Sequence, residues 1–202
     1  SGVPFKSTVR NFNIERPPLL GEHTEQILGN VDLIETDGNA PDPISITNEL
    51  ALSGLKVLDL SMFFAGPVCA QILADAGADV VKVESVQRID GWRGSGTAAG
   101  LVTEGPIAPW ESSPYFNWVN RSKRDITLNL TDPRGADIIK QMVKDADVLI
   151  ENYTPRVMNN FGLSYEVLRE LNPNLIMISL SGFGADNSWK DYVAFGMSTE
   201  QV

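Results

Sequence analysis

Three short stretches of this chain hold side chains whose types and spacing could bind or transform a small anion. The first is DLSMFFAGP, Asp59 to Pro67, where a Val/Leu-rich run meets a glycine and a proline. In a doubly wound sheet such a turn lies at the carboxyl edge, where ligands gather. Close packing at Gly66 explains the glycine equally well. The second is Asn120-Arg121-Ser122-Lys123-Arg124, the densest basic cluster in the chain. It is either a solvated strand entrance or a patch that faces phosphate, since Arg and Lys concentrate where phosphates bind. The third is Glu151 to Arg156, ENYTPR. A helix starting at its Thr-Pro pair would offer free N–H groups to an anion, and Asn and Tyr suit a purine. Capping by Thr154 is the plainer explanation, and one turn can do both.

Other chemistries lack support. His23 is the only histidine and Cys69 the only cysteine, so paired metal-ligand spacing and an internal disulfide are both absent. His23 reads as a helix-start residue without chemistry. Neither the Gly-x-Gly-x-x-Gly fingerprint nor the Walker P-loop occurs, which counts against a nicotinamide-binding module. The net charge of -10 repels polyanions, so neither nucleic acid nor an anionic membrane is an expected partner. No apolar run approaches membrane-spanning length. One cysteine and no signal-peptide layout fit a cytoplasmic setting.

The elements that must position these stretches alternate between strand and helix. Strands are expected over residues 55–60, 79–84, 122–130 (half-buried, with Ile126, Leu128 and Leu130 inward), 146–151 and 174–180. The first helix follows Gly66-Pro67, with Cys69, Ile72, Leu73 and Ala76 inward and Gly77 as a left-handed stop. Asp132-Pro133 caps a second, with Ile138, Ile139, Met142 and Val143 as its apolar stripe. A short helix from Thr154-Pro155 turns Val157, Met158 and Phe161 inward and stops at Gly162. Ser164 caps another, with Tyr165, Leu168 and Leu171 inward. Residues 86–114, rich in glycine, read as an extended loop. Residues 31–50 carry five acids and no Lys or Arg, a linker composition. The fold class is therefore α/β with a mainly parallel sheet.

Taken together, ordered blocks carry a family resemblance. LSGLKVLDLSMFFAGPVCAQILADAGADVVKVE (52–84), NRSKRDITLNLTDPRG (120–135) and ADVLIENYTPRVMNNFGLSYEVLRELNPNLIMISLSGFG (146–184) resemble the opening of the family III CoA-transferases, the CaiB/BaiF family. Val3 to Leu28, with RPPLLGEHTEQIL, resembles that family's ending. An ending followed by a beginning suggests the middle of a tandem two-copy fusion. Residues 1–30 would close an upstream copy, 31–50 link, and 51–202 open the next Rossmann-like large domain, without its small domain.

The resemblance implies acyl-CoA chemistry. CoA moves from an acyl-CoA to a small carboxylic acid through an aspartyl covalent intermediate. The family's Asp falls beyond Val202, so no catalytic residue is assigned, and the fragment alone is expected to be inactive. Coenzyme A or acyl-CoA is the substrate, with no tightly bound cofactor and no metal. The partner is a second copy, as an interlocked homodimer or an intramolecular pseudo-dimer. Matched positions give the CoA contacts. Phe64 and Ala65 lie near the thioester, Leu128, Asn129, Leu130 and Thr131 line the nucleotide, and Asn152, Tyr153 and Thr154 meet the adenine. Ser85 and Asn160 stand where the family often has Arg. Arg156, one turn before Asn160, is the expected substitute cation. Phe195-Gly196 replaces a Tyr-Asp or His-Asp pair, a departure from racemase-type members. The alternatives are a non-catalytic copy with a structural role in a fused pair, or a racemase- or lyase-type member.

Overall fold

A computed structural model describes residues 15–29, 50–98 and 108–199 of the chain. Most of the expected acidic linker and the start of the expected family ending lie outside these residues.

Five strands form one sheet, all parallel: β1 (Lys56–Asp59), β2 (Asp79–Glu84), β3 (Arg124–Thr127), β4 (Val148–Glu151) and β5 (Ile176–Ser179), in spatial order β3-β2-β1-β4-β5. The chain winds outward from β1 to β3, then returns beside β1 with β4. That reversal is the topological switch point of a doubly wound α/β fold, with its crevice beyond the carboxyl ends of the strands. The short α1 (Thr24–Leu28) lies against β3. The remaining helices are α2 (Ala65–Asp75), α3 (Gly91–Ala98), α4 (Pro114–Val119), α5 (Pro133–Val143), α6 (Arg156–Asn160), α7 (Tyr165–Leu171) and α8 (Gly196–Thr199).

Both faces of the sheet are covered, as a parallel sheet requires. On one face Leu58, Val81, Ile126 and Leu149 pack with Ile139, Met142 and Val143 of α5, Met158 of α6 and Leu168 of α7. On the other, Val57, Val80, Val148 and Ile150 pack with Ala70 and Ala74 of α2. Caps fall where turn chemistry puts them. The Asp132 and Ser164 side chains accept from Arg134 N and Val167 N, and Gly77 and Gly162 adopt positive φ after their helices.

Several expectations are corrected. Residues 86–114 are not one extended loop: α3, a 3-10 turn at Pro109–Glu111 and the start of α4 occupy much of the stretch, and 99–107 lie outside the described residues. The α2 face is wider than expected: Gly66, Pro67, Ala70, Gln71, Ala74 and Asp75 are buried, Cys69, Leu73 and Ala76 pack inward as expected, and only Ile72, 39% exposed, faces out. Small residues let this helix sit close to the sheet edge; a Cβ on Gly66 would lie 2.2 Å from the Ser61 Cβ. On α7 only Leu168 is buried. The stretch 122–130 is not a half-buried strand: β3 spans four residues, and its Asp125 is as buried as Ile126. Thr154 makes no side-chain cap; its carbonyl accepts from Val157 N instead.

Candidate functional site

The turn after β1 is held from three sides. Asn152, just past β4, accepts from Met62 N at 2.8 Å and donates to Met62 O at 2.7 Å. Lys82 of β2 donates to Ser61 O at 2.8 Å. Asp90 accepts from Phe63 N at 3.3 and 3.2 Å. Phe63 itself adopts φ 64°, a left-handed conformation that costs a non-glycine residue free energy and persists only when its surroundings impose it. Its ring packs edge-on against Trp92 and Phe195, and Phe64 packs against Trp92 and Trp118. The strained turn is thus locked before any ligand arrives.

Beneath the turn lies a buried ionic network. Lys123 donates to Asp59 Oδ2 at 2.7 Å, Pro67 O at 2.9 Å and Asn120 Oδ1 at 2.9 Å. Lys82 lies 3.4 Å from Asp90, and Arg121 bonds Asp75 at 2.7 Å. Burial opposes the Asp59 charge, but Lys123 and Lys82 hold its carboxyl below the usual range. Burial pushes Lys123 down to about 8 against the pull of Asp59. Burial also opposes the charge of Lys82, yet Asp59 and Asp90 hold it above the ordinary lysine value. The basic cluster 120–124 is therefore neither a solvated entrance nor a phosphate-facing patch. Asn120, Arg121 and Lys123 are buried, and Arg124 pairs with Asp79.

A cavity of about 210 Å³ opens at the carboxyl ends of β1 to β4. That is below the ~300–1,000 Å³ typical of a whole ligand site, so it suits one part of an extended ligand. Of the residues singled out in the sequence, Ser85, Leu128, Asn129, Leu130, Thr131 and Tyr153 line it together. Burial pushes the Tyr153 hydroxyl up to about 12, so the phenol stays a neutral donor. Asn160 lines a separate recess with Lys140. Phe64, Ala65, Asn152, Thr154 and Arg156 are not on the cavity wall. Asn152 instead props the turn that forms part of it.

Arg88 is the residue that sequence reasoning missed. It lines the cavity, three residues beyond Ser85 and bridged to it in a tight turn. Its guanidinium has no carboxylate partner among the described residues, unlike the buried Arg93 and Arg121. A cation displaced by one turn from an expected position is the signal that would have found it. The two carboxylates on the wall, Glu84 and Asp90, are both engaged by protein groups. No group of three or more His, Cys, Asp or Glu able to hold a metal occurs among the described residues. Nor is any described helix long and apolar enough to cross a membrane.

Fold and cavity define a doubly wound α/β protein with a ligand site at the carboxyl edge of its sheet. Residues 52–202 match CoA-transferase family III, and the chain belongs to that family. It is 44% identical over 157 residues to an acyl-CoA transferase of Fusarium pseudograminearum, covering 75% of this chain and 33% of the relative. It is 41% identical over 152 residues to a succinate–glutarate CoA-transferase of Agrobacterium fabrum, covering 73% and 37%. The crystal structure of a CaiB/BaiF family protein from Brucella suis superposes with TM-score 0.63 at 37% identity, covering 74% of this chain and 38% of that one. The chain thus spans about a third of the length of the curated relatives it matches.

Proposed function

We propose that this chain supplies the CoA-holding part of an enzyme that moves CoA from an acyl-CoA to a carboxylic acid. The observation that carries the reading is the cavity itself. Residues 128–131, Tyr153, Ser85 and Arg88 converge on one recess at the sheet's carboxyl edge. Leu128 to Thr131 form the backbone wall of the recess, held by bonds from Leu128 N to Glu84 O and from Thr131 N and Oγ1 to Asn129 Oδ1. Tyr153 offers a ring face and a neutral hydroxyl, and Arg88 offers a guanidinium to phosphate. The relatives are named for acyl-CoA transfer and for succinate and glutarate as CoA partners, which supports the same reaction class here.

In that reaction a carboxylate attacks the acyl-CoA thioester carbonyl. The C–S bond breaks, CoA thiolate leaves, and a mixed anhydride forms. The thiolate then attacks the enzyme-side carbonyl of the anhydride, expelling the donor's carboxylate and leaving an enzyme–CoA thioester, from which CoA passes to the acceptor carboxylate by the same steps in reverse. Neither carboxylate on this cavity wall is free for such an attack, since Glu84 is bound by Arg93 and Asp90 by Lys82 and two backbone N–H groups. The chain alone is accordingly a binding part without turnover. A paired second copy, whether in one polypeptide or two, fits the family-ending character of the first 30 residues.

The test is titration calorimetry with CoA and dephospho-CoA. Wild type should bind CoA, and Arg88→Ala should weaken it about ten-fold or more, the worth of one charge-assisted bond of ~1.5–3 kcal/mol. Arg156→Ala, off the cavity wall, should weaken it less. Absence of CoA binding by wild type would overturn the reading and favour a copy with a purely structural role.

A further inference from the structure

We propose that Arg93 is a positioning residue for the CoA site and that residues 20–21 complete its grip, so that docking of this N-terminal segment and filling of the cavity favour one another. The proposal rests on the CoA reading above. Arg93 is not on the cavity wall, and it is fully buried. Its Nε donates to Glu84 Oε2 at 2.6 Å, and its backbone N donates to Asp90 O at 2.9 Å. Glu84 and Asp90 both line the cavity, as do Ser85, Gln87 and Arg88 between them. The wall segment 84–90 is therefore a loop held at Glu84 by the Arg93 side chain and at Asp90 by the first backbone turn of α3. The guanidinium lies 3.6 Å over the Phe116 ring, which fixes its plane.

The other side of Arg93 faces the N-terminal segment. Nη1 donates to Glu111 Oε2 at 2.6 Å, and Nη2 lies 3.9 Å from Asp125 Oδ2. Each of these two acids turns its other oxygen to the segment. Glu111 Oε1 accepts from Leu20 N at 2.9 Å, and Asp125 Oδ1 accepts from Gly21 N at 2.6 Å. Two successive backbone N–H groups thus end on the two acids that flank one guanidinium.

Charge makes the arrangement responsive. One guanidinium serves three carboxyl groups, Glu84, Glu111 and Asp125. Three buried atoms at the hub, Arg93 Nη2, Glu84 Oε1 and Asp125 Oδ2, have no hydrogen-bond partner among the described residues. The Leu20 and Gly21 N–H dipoles supply the positive character that one arginine cannot. When the segment leaves, Asp125, which keeps its proton, loses the Gly21 donor, and the Glu111 carboxylate loses the Leu20 donor and competes with Glu84 for Arg93. The tie at Glu84 then loosens, and with it the wall that carries Arg88. A ligand that needs the wall in place must, by linkage, favour the docked segment by the same factor.

The experiment uses the full chain and hydrogen exchange. The Leu20 and Gly21 amides are the latch bonds, so their exchange reports docking directly. Saturating CoA should slow both amides by about five-fold or more, within the usual range of coupling between sites. In the reverse direction, Gly21→Pro removes one latch donor and cannot adopt the local φ of +70°. It touches nothing in the cavity, yet should weaken CoA by a matching factor and speed exchange across 84–90. Arg93→Gln should do the same, and Arg93→Lys should recover part of the affinity by keeping the charge. Circular dichroism at the titration temperature confirms that each variant is folded, so a purely structural role would leave CoA affinity unmoved. Wild-type CoA binding with unchanged exchange at Leu20 and Gly21, and unchanged affinity in Gly21→Pro, overturns the proposal. No CoA binding by wild type overturns the CoA reading, and this coupling with it.

Discussion

Replacing Asp125 by Asn should stabilise the protein, and the gain should grow with pH. Asp125 is wholly buried. Burial and the neighbouring Glu84 carboxylate push its carboxyl up to about 9, against the Gly21 N–H and Arg93. The folded chain therefore keeps a proton that the unfolded chain releases above about pH 4. Between those values the folded state binds one proton more than the unfolded state. Stability consequently falls as pH rises across this window, by at most about 1.4 kcal/mol per pH unit, and levels off above it. An amide does not titrate. The substituted side chain still offers an oxygen to Gly21 N, and its NH₂ stands in for the Asp125 hydroxyl as the donor toward Glu84. From pH 5 to pH 8 the advantage of Asp125→Asn over wild type should widen, with a slope of at most about 1.4 kcal/mol per pH unit. Urea unfolding followed by circular dichroism at both pH values measures it, with Glu84, the coupled neighbour, responding as part of the same pair. A pH-independent difference would refute the reasoning, because it would mean that Asp125 is ionised in the fold.

Lys123→Met should cost about 3–5 kcal/mol in the same urea assay, because it leaves Asp59 buried without its main partner. Asn152→Ala removes both bonds to Met62 and should cost about 1–3 kcal/mol in stability; freed from its clamp, the 61–64 turn should also show faster amide exchange. In a CoA titration the order of loss should be Arg88→Ala greater than Arg156→Ala, and equal losses would argue against the cavity as the phosphate site.

The five strands and their parallel pairing were legible because they rest on local signals. Buried parallel strands read as Val/Leu/Ile runs, and Asp132 and Ser164 announce helix starts by their chemistry. The contents of the sheet edge were not. Arg121, Lys123 and Asp125 look like solvent-facing strand polars until their partners arrive from distant stretches: Asp75, Asp59 and the N-terminal segment. Nothing in the spacing of 120–125 encodes pairing with residues 46 to 104 positions away. The site was legible in the same uneven way. Residues 128–131 and Tyr153 came from a resemblance in sequence blocks and share one cavity. Arg88 was hidden because the expected position, Ser85, is uncharged, and only the tight turn carries the cation back to the same wall. Of the residues expected inward on α2 only Ile72 faces out, because the closest approach is made by small residues: Gly66 packs on the Ser61 side chain, and Ala70 and Ala74 pack on the sheet.

One rung of the sheet does something the others do not. Register pairs Asp59 with Lys82, and Lys82 with Asp125, so an anion, a cation and a protonated carboxyl group sit abreast across β1, β2 and β3. On its amino side, β1 and β2 pair Leu58 with Val81 and Val57 with Val80, while β3 sets Arg124 beside Val81. In a parallel sheet covered on both faces, such aliphatic residues are nearly interchangeable, and a slip by one position loses little apolar burial. The charged rung removes that degeneracy. Shifting β1 or β2 would part buried Asp59 from Lys82, which helps hold its charge, at a cost of up to several kcal/mol. It acts as a keyway, admitting a single alignment of two otherwise similar strands. Sheets lacking it, made by exchanging Asp59, Lys82 and Asp125 together for uncharged isosteres, should gain alternative pairings even if their total stability is unchanged.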